Sequence, residues 1–472
     1  MRLALVGLSL VCALTSRCES ALPARVCTIP APAPSDWRLA ASGTNLVDGL
    51  GRVVFLHGVN AGGRSKFSPY VPFDYTDYAT SLGAYMDHAQ SWGIDVMRVP
   101  FTWAALEPVQ GQDDENWLSL YDQLLDAAWA RGIWTIVDFH QDVYSEVYCG
   151  DGFPGWTVAN PPAPAHDCPG WGLEYVQDPA VMAAFDAFWA SGSPVMTEYQ
   201  AAWDVMIARY KDKPGVLGFE LINEPGWGSE DETTFAATTL TAFYSVMVPR
   251  VRAEAPTSLV FLDATGLDGT LLATGLQKPM GDGMVFAPHF YPFTHSPDAV
   301  VSLMQNWANM GVAWNVPVFI GEFGVSDTED GAAAYMAANF AALDTLGIVG
   351  GTEWEYSESV DLWNSETNDV VEPDGTEYPI ASALLRPFAR AVAGSSITES
   401  FDVTTTQLAL TYTPSVTSSV TSIDLPARAY PNGFTVALNG GCYDTTTVPG
   451  QMLVQADSDA TEVALTISPN QP

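Results

Sequence analysis

The chain has 472 residues, with 18 Lys and Arg against 55 Asp and Glu, a formal net charge of −37. Such a chain lacks the basic footprint that phosphate backbones and anionic lipids attract, which excludes nucleic acid as a partner and electrostatic adhesion to an anionic membrane. Hydrophobic residues make up 47%, enough for one large core and a small second one, and the scattered acidic residues read as a solubilising surface.

Residues 1–21 read as an export signal: Arg2 precedes an apolar run from Leu3 to Leu14, and small residues follow. That run is too short to span a bilayer, and no later stretch is long enough, so a secreted, extracellular protein is expected. Cys12 and Cys18 would leave with the signal. Cys27, Cys149, Cys168 and Cys442 remain, an even set suited to an oxidising compartment. Cys149 and Cys168 flank a Pro/Gly-rich loop and are expected to pair, which leaves Cys27 and Cys442 to tie the N-terminal tail to the C-terminal region. No Cys/His spacing suggests zinc, and no metal or other cofactor is expected.

Residues 22–40 read as a Pro/Ala-rich linker. Over 41–394, eight apolar runs alternate with helical stretches: 53–59, 95–101, 134–140, 216–224, 259–265, 284–290, 316–323 and 349–356. The intervening segments, such as 117–132 and 235–248, have helical period. Continuous apolar strands separated by helices predict parallel strands buried on both faces, and eight of them predict an α/β fold of the (β/α)8 TIM-barrel type. No GxGxxG follows the first run, as a dinucleotide-binding doubly wound sheet would have it. After about Gly394, Thr, Ser and Val dominate in alternating runs with turn signals such as PNG at 431–433, which predicts a small C-terminal antiparallel β-sandwich over 395–472.

Polar residues recur at the ends of the barrel runs: His57 and Asn60, Arg98, His140 and Asp142, Asn223 and Glu224, His289 and Tyr291, Glu322, and Trp354. In a barrel these ends open on one face, where active sites lie. Two of them carry chemistry together. Glu224 follows Asn223 in FELINEPGWG (219–228), and Glu322 sits in FIGEFG (319–324). Both are carboxylates in apolar strands, where an unpaired charge would be costly. Opposed across the mouth about 5 Å apart, one would protonate a glycosidic oxygen and the other attack the anomeric carbon.

These residues resemble the clan A glycoside hydrolases of family five, through Arg98, His140, Asn223–Glu224, His289, Tyr291, Glu322 and Trp354. The resemblance implies Glu224 as acid/base, Glu322 as nucleophile, Arg98 and Tyr291 around the nucleophile, and Trp354 as a stacking floor for sugar. A narrower resemblance, to endoglycoceramidases, rests on DFHQDVYSE (138–146), GDGFPGW (150–156), HGVNAGGRSKFSPY (57–70), PAVMAAFDAFW (179–189) and RPFARAVAGS (386–395). It implies a retaining endo-β-glycosidase that cuts between the glycan and ceramide of glycosphingolipids. Asp142 and Lys66 would hold glycan hydroxyls, His140 would stand by the reaction centre, and Trp171 would line the sugar cleft.

The sequence departs from that pattern in the Gly-rich stretch at 60–66 and in the loop between Cys149 and Cys168, so glycan preference stays open. Glu353, Glu355 and Glu358 compete for sugar contacts but rank below Glu322. An apolar groove for lipid is sought in 156–165 and 291–297. The chain is expected to be a monomer that touches membranes or micelles transiently, its terminal domain either docking there or simply packing on the barrel. Another family-five β-glycosidase acting on steryl glucosides or soluble β-glucans is the rival enzyme. A non-catalytic carbohydrate- or lipid-binding protein would not need both glutamates.

Overall fold

The computed structural model describes residues 24–32, 36–159, 171–359, 367–415 and 420–470. The signal-like segment 1–21 and Cys168 lie outside them.

Three short strands come first: β1 (Ala40–Ser42), β2 (Asn45–Val47) and β3 (Val53–Val54). The barrel follows as β4 (Leu56–Asn60), β5 (Val96–Phe101), β6 (Trp134–Phe139), β7 (Val216–Glu220), β8 (Leu259–Leu262), β9 (Met284–Phe286), β10 (Phe319–Phe323) and β11 (Gly350–Glu353). All eight pair in parallel in the order β10-β11-β4-β5-β6-β7-β8-β9. Bridges Phe286↔Val318 and Phe290↔Phe323 bring the two end strands together. Every residue of β4 to β11 is buried, as strands covered on both faces must be. The helices follow the sequence pattern. In Glu115–Trp129, Asp114 caps the N–H groups of Asn116 and Trp117, and Trp117, Leu118, Tyr121, Leu124, Leu125 and Ala128 form the buried stripe.

The remaining strands are β12 (Phe388–Val392), β13 (Gly394–Asp402), β14 (Gln407–Pro414), β15 (Thr421–Asp424), β16 (Phe434–Asn439), β17 (Gly441–Asp444), β18 (Gln451–Ala456) and β19 (Val463–Pro469). They form the expected sandwich, but it is not purely C-terminal. One sheet runs β1-β2-β3-β12-β15-β18-β17 and the other β13-β14-β19-β16. Apolar residues of both sheets, among them Leu408, Leu410, Ile423, Met452, Val454 and Ile467, share one core.

The expected boundaries at 41 and 394 therefore differ from the structural ones. The run 53–59 splits: Val53 and Val54 pair with β12, whereas Leu56–Asn60 belong to the barrel. The physical reason is the barrel floor. Leu39, Leu46, Val54 and Ala391 pack against Leu56, Val96, Ile136, Leu217, Phe261 and Phe319, so the first strands cover the apolar floor.

The tail is held as well. Val26 bridges Tyr443, and Cys27 is bonded to Cys442 across 415 residues of chain. Closing so long a loop restricts the unfolded chain strongly. Replacing Cys27 and Cys442 by Ser is expected to cost about 2–4 kcal/mol, read as a lower denaturant midpoint under non-reducing conditions, with turnover at low temperature retained. Cys149 is also disulfide-bonded; the expected pairing with Cys168 falls outside the described residues.

Candidate active site

The C-terminal strand ends surround a cavity of about 430 Å3 with Lys66, His140, Asp142, Asn223, Glu224, Tyr291, Glu322, Trp354 and Asn368 in its lining. Leu173, Tyr175, Val176, Trp227 and Leu267 line it as well.

Arg98, fully buried in β5, organises the floor. Its Nε and Nη2 donate to Glu220 Oε2 and Oε1 at 2.8 and 2.9 Å, Nη1 to Glu322 Oε1 at 2.7 Å and Asn60 Oδ1 at 3.0 Å, and Nη2 to Asn223 Oδ1 at 2.8 Å. Asp138 Oδ1 lies 3.1 Å from Nη2. One guanidinium thus faces three carboxyl groups. Burial outweighs the pull of Arg98 on Glu220 and, with the charge of Asp138, pushes it up to about 7. Tyr291 donates its hydroxyl to the other oxygen of Glu322 at 3.0 Å. Both Glu322 oxygens are therefore held from below and from the side.

Glu224 is placed differently. It follows β7 at φ 37°, a conformation uncommon outside glycine, and its N–H donates to Asp263 Oδ2 at 2.8 Å. Gln141 Nε2 donates to the carbonyls of Asn223 and Glu224, both at 2.9 Å. Glu224 Oε1 lies 2.8 Å from His289 Nδ1, and a Cβ at Gly266 would fall 2.5 Å from Glu224 Oε2, so only glycine leaves the carboxyl its space there. Burial, with the negative charge of Asp142, pushes Glu224 up to about 7 against the pull of His140, Lys66 and Arg98. A carboxylate oxygen of Glu224 lies within 4.8 Å of one of Glu322.

The third group is cationic. Lys66 Nζ sits 2.8 Å from Asp142 Oδ2 and 4.6 Å from the centre of the Trp354 ring. The Trp354 ring stacks on His140, centroids 5.1 Å apart and planes 7° from parallel. Burial opposes a charge on His140, but its hydrogen bonds to Asp138 and Asp142, which accept them, outweigh it and push the imidazole up to about 10. Burial likewise opposes a charge on Asp142, yet Lys66 and His140 hold it down to about 2.

Residues 57–358 match the cellulase family (glycosyl hydrolase family 5), and residues 386–468 match the glycoside hydrolase family 5 C-terminal domain. The chain belongs to glycoside hydrolase family 5. Within that family it is 29% identical over 468 residues to endoglycoceramidase I of Rhodococcus hoagii (strain 103S), covering 93% of this chain and 90% of that one. An endoglycoceramidase of Cyanea nozakii is 28% identical over 289 residues, 52% of this chain and 55% of its own. The solved structure of endo-glycoceramidase II from Rhodococcus sp. in its ganglioside GM3 complex aligns with a TM-score of 0.76 at 27% identity, covering 91% of this chain and 100% of that chain.

In this family 5 glycosidase, Lys66, Arg98, His140, Asp142, Asn223, Glu224, His289, Tyr291, Glu322 and Trp354 come together at one barrel mouth. Trp171 opens the turn Trp171–Leu173, but its side chain lies outside what the structure describes. His57 does not join them: it packs on Phe388 and Phe340, with Nε2 3.4 Å from Asp344, because its side chain points out of the barrel. Glu353 and Glu355 are buried away from the cavity, and Glu358 accepts a bond from Tyr356 Oη. In the sought groove, Trp156 packs edge-on against Trp103 and donates to the carbonyl of Glu107, while 160–165 lie outside the described residues.

Asp138, Glu220, Asp263, Trp227 and Asn368 were not foreseen. A usable signal existed for Asp138 and Glu220, carboxylates within apolar strands, which is the argument that singled out Glu322. Three sets of atoms lie close enough to share a cation: His140, Asp142 and Asp151; Glu220, Asp263 and His289; and Glu224, His289 and Glu322. A cation in the first would displace Lys66 from Asp142, and one in the third would break the His289–Glu224 contact.

Proposed function

We propose that this glycoside hydrolase is a retaining endo-β-glycosidase that releases intact glycan from the ceramide of glycosphingolipids. The observation that carries the reading is the mixed lining of the cavity. Lys66, Asp142, Tyr291 and Glu322 line it together with the Trp354 ring, on which a sugar would stack. Leu173, Val176, Trp227 and Leu267 give the same cavity an apolar part. Leu173 and Val176 are 55% and 51% exposed, an apolar rim to the cavity. An amphiphile fits such a site sugar-first, with its lipid on the rim.

In the mechanism, Glu322 attacks the anomeric carbon and forms a glycosyl ester while Glu224 gives its proton to the departing ceramide oxygen. Glu224, now a carboxylate, takes a proton from water, whose oxygen attacks the ester and frees both glycan and Glu322. The closeness of the two carboxyls supports retention, since an inverting pair needs room for water between them. The names of the relatives support the lipid substrate. Export is proposed on the signal-like N-terminus and supported by the cystines, which persist in oxidising compartments.

The test is product analysis. Lactosylceramide in detergent micelles should yield intact lactose and ceramide by thin-layer chromatography. Hydrolysis of soluble β-glucan or of a steryl glucoside, with lactosylceramide untouched, would move the reading to the rival substrates. Leu173→Asp with Leu267→Asp should lower kcat/KM for the glycolipid about tenfold or more, as expected for losing one buried apolar side chain or two. A soluble aryl lactoside, which never reaches the rim, should be cleaved as by the wild type.

A further inference from the structure

Gln141 stands two residues past the end of β6, is fully buried and does not line the cavity. Its side chain nevertheless reaches the main chain of the acid/base. Nε2 donates to the carbonyls of Asn223 and Glu224, both at 2.9 Å, and to Tyr175 Oη at 3.1 Å. Oε1 accepts the N–H of Tyr144 at 3.1 Å. In return, Asn223 Nδ2 donates to the Gln141 carbonyl at 3.1 Å. These partners fix the orientation of the amide, since turning it over would set Oε1 against two carbonyls and Nε2 against an N–H. Gly152 leaves the side chain no slack: a Cβ there would fall 2.3 Å from Gln141 Cβ, and its φ of 101° is one that glycine adopts freely. The sequence blocks 138–146 and 150–156 thus meet at Gln141.

Glu224 needs such a hold. A residue with a Cβ keeps a φ of 37° only where its surroundings impose it. Asp263 takes the N–H of Glu224 at 2.8 Å and Gln141 takes its carbonyl, so both polar groups of this peptide unit are engaged. The nucleophile does not depend on Gln141, because Arg98 and Tyr291 hold the two oxygens of Glu322. We propose that Gln141 is a positioning residue for proton transfer: its amide clamps the carbonyls of residues 223 and 224, keeps Glu224 in its left-handed conformation and so aims the carboxyl into the cavity at the glycosidic oxygen. Without the clamp the peptide relaxes toward an ordinary φ and the carboxyl swings with it. The proposal rests on the reading of Glu224 as acid/base.

The experiment compares wild type, Gln141→Met and Glu224→Gln in the full chain on two soluble substrates, phenyl lactoside and dinitrophenyl lactoside. Met matches the length of Gln and offers no N–H. On both substrates kcat/KM reads the first step, which needs a proton from Glu224 for phenol and none for dinitrophenol. Gln141→Met should lose about a hundredfold in kcat/KM on phenyl lactoside, the scale of a small misplacement of a reacting group, and stay close to the wild type on dinitrophenyl lactoside. A purely structural role would lower Tm and slow both substrates alike. That result overturns the proposal, as does an undiminished kcat/KM on phenyl lactoside. Should Gln141→Met not fold, Gln141→Glu is read in the same way: its carboxyl still accepts from Tyr144 but has at most one proton for the three oxygens that Nε2 now serves. Glu224→Gln should show the same split between substrates, and larger. Its absence there would remove the acid/base assignment itself. A split in Glu224→Gln beside none in the Gln141 variant removes only the role of Gln141.

Discussion

Glu322→Gln should lose on the order of 10^4-fold or more in kcat on every substrate, with Tm close to that of the wild type. The amide keeps the size of the side chain and can still accept from Arg98 Nη1 or Tyr291 Oη, each of which now holds one Glu322 oxygen. What it cannot do is form the glycosyl ester. Glu224→Gln should fail in a different way. It should be severely slowed on lactosylceramide, whose alkoxide leaving group needs a proton, and far less in the first step on a dinitrophenyl lactoside, which does not. A burst of dinitrophenol followed by slow turnover would show the second step waiting for its missing base. In the wild type, Glu224 is pushed up to about 7, so kcat/KM should fall as pH rises through that value. Equal damage to both variants on the activated substrate would contradict the division of labour.

Arg98→Leu has the second large effect, and here stability leads. Removing the guanidinium leaves Asp138, Glu220 and Glu322 facing one another without their shared counter-charge. Breaking a buried pair in this way costs about 3–5 kcal/mol. The cost depends on pH with a definite sign. A carboxyl with a folded pKa above its unfolded one is indifferent while both states are protonated and destabilises increasingly as pH rises between the two values. Glu220 already lies at about 7 with Arg98 present, and loss of the cation pushes it further in the same direction. Denaturant midpoints of Arg98→Leu should therefore approach those of the wild type in acid and diverge above neutrality. Arg98→Lys should fall between, since a point charge cannot fork onto Glu220 while also reaching Glu322 and Asn223. A pH-independent deficit would mean that packing around residue 98, and not its charge, is what matters.

Much of this architecture was legible in the chain. Eight apolar runs spaced by helical segments are enough for a barrel, because strands buried on both faces leave a continuous hydrophobic signature. Glu224 and Glu322 could be read for the converse reason: a carboxylate inside such a run carries a desolvation cost that folding tolerates where a partner compensates it. Arg98, His140 and Asn223 were reached by the recurrence of polar residues at strand ends and by the family resemblance. The cost of buried charge could have reached Asp138 and Glu220, which obey the same rule.

Other features had no local signature. Val53–Val54 reads like the start of the first barrel strand, and only pairing with Phe388–Val392, far along the chain, assigns it to the other sheet. His57 sits beside residues that face the mouth, yet the alternation of the strand turns it outward to Phe388. The apolar rim was sought in 156–165 and 291–297; Tyr291 of the second loop lines the cavity and Phe293 is 83% exposed, but Leu173, Val176 and Leu267, from two other segments, join the lining without having been foreseen. Apolar loop residues look alike in sequence whether they pack inward or line an opening.

By itself, then, the sequence determined the barrel, the cysteines able to pair and the two carboxylates, since periodicity and the cost of burying charge are written residue by residue. Tertiary structure alone decided how close those carboxylates come, how one arginine is shared among three acids, and that the N–H of Glu224 donates to Asp263. Distances and shared partners belong to the closure of the barrel, which joins residues hundreds of positions apart and leaves no trace in the local pattern.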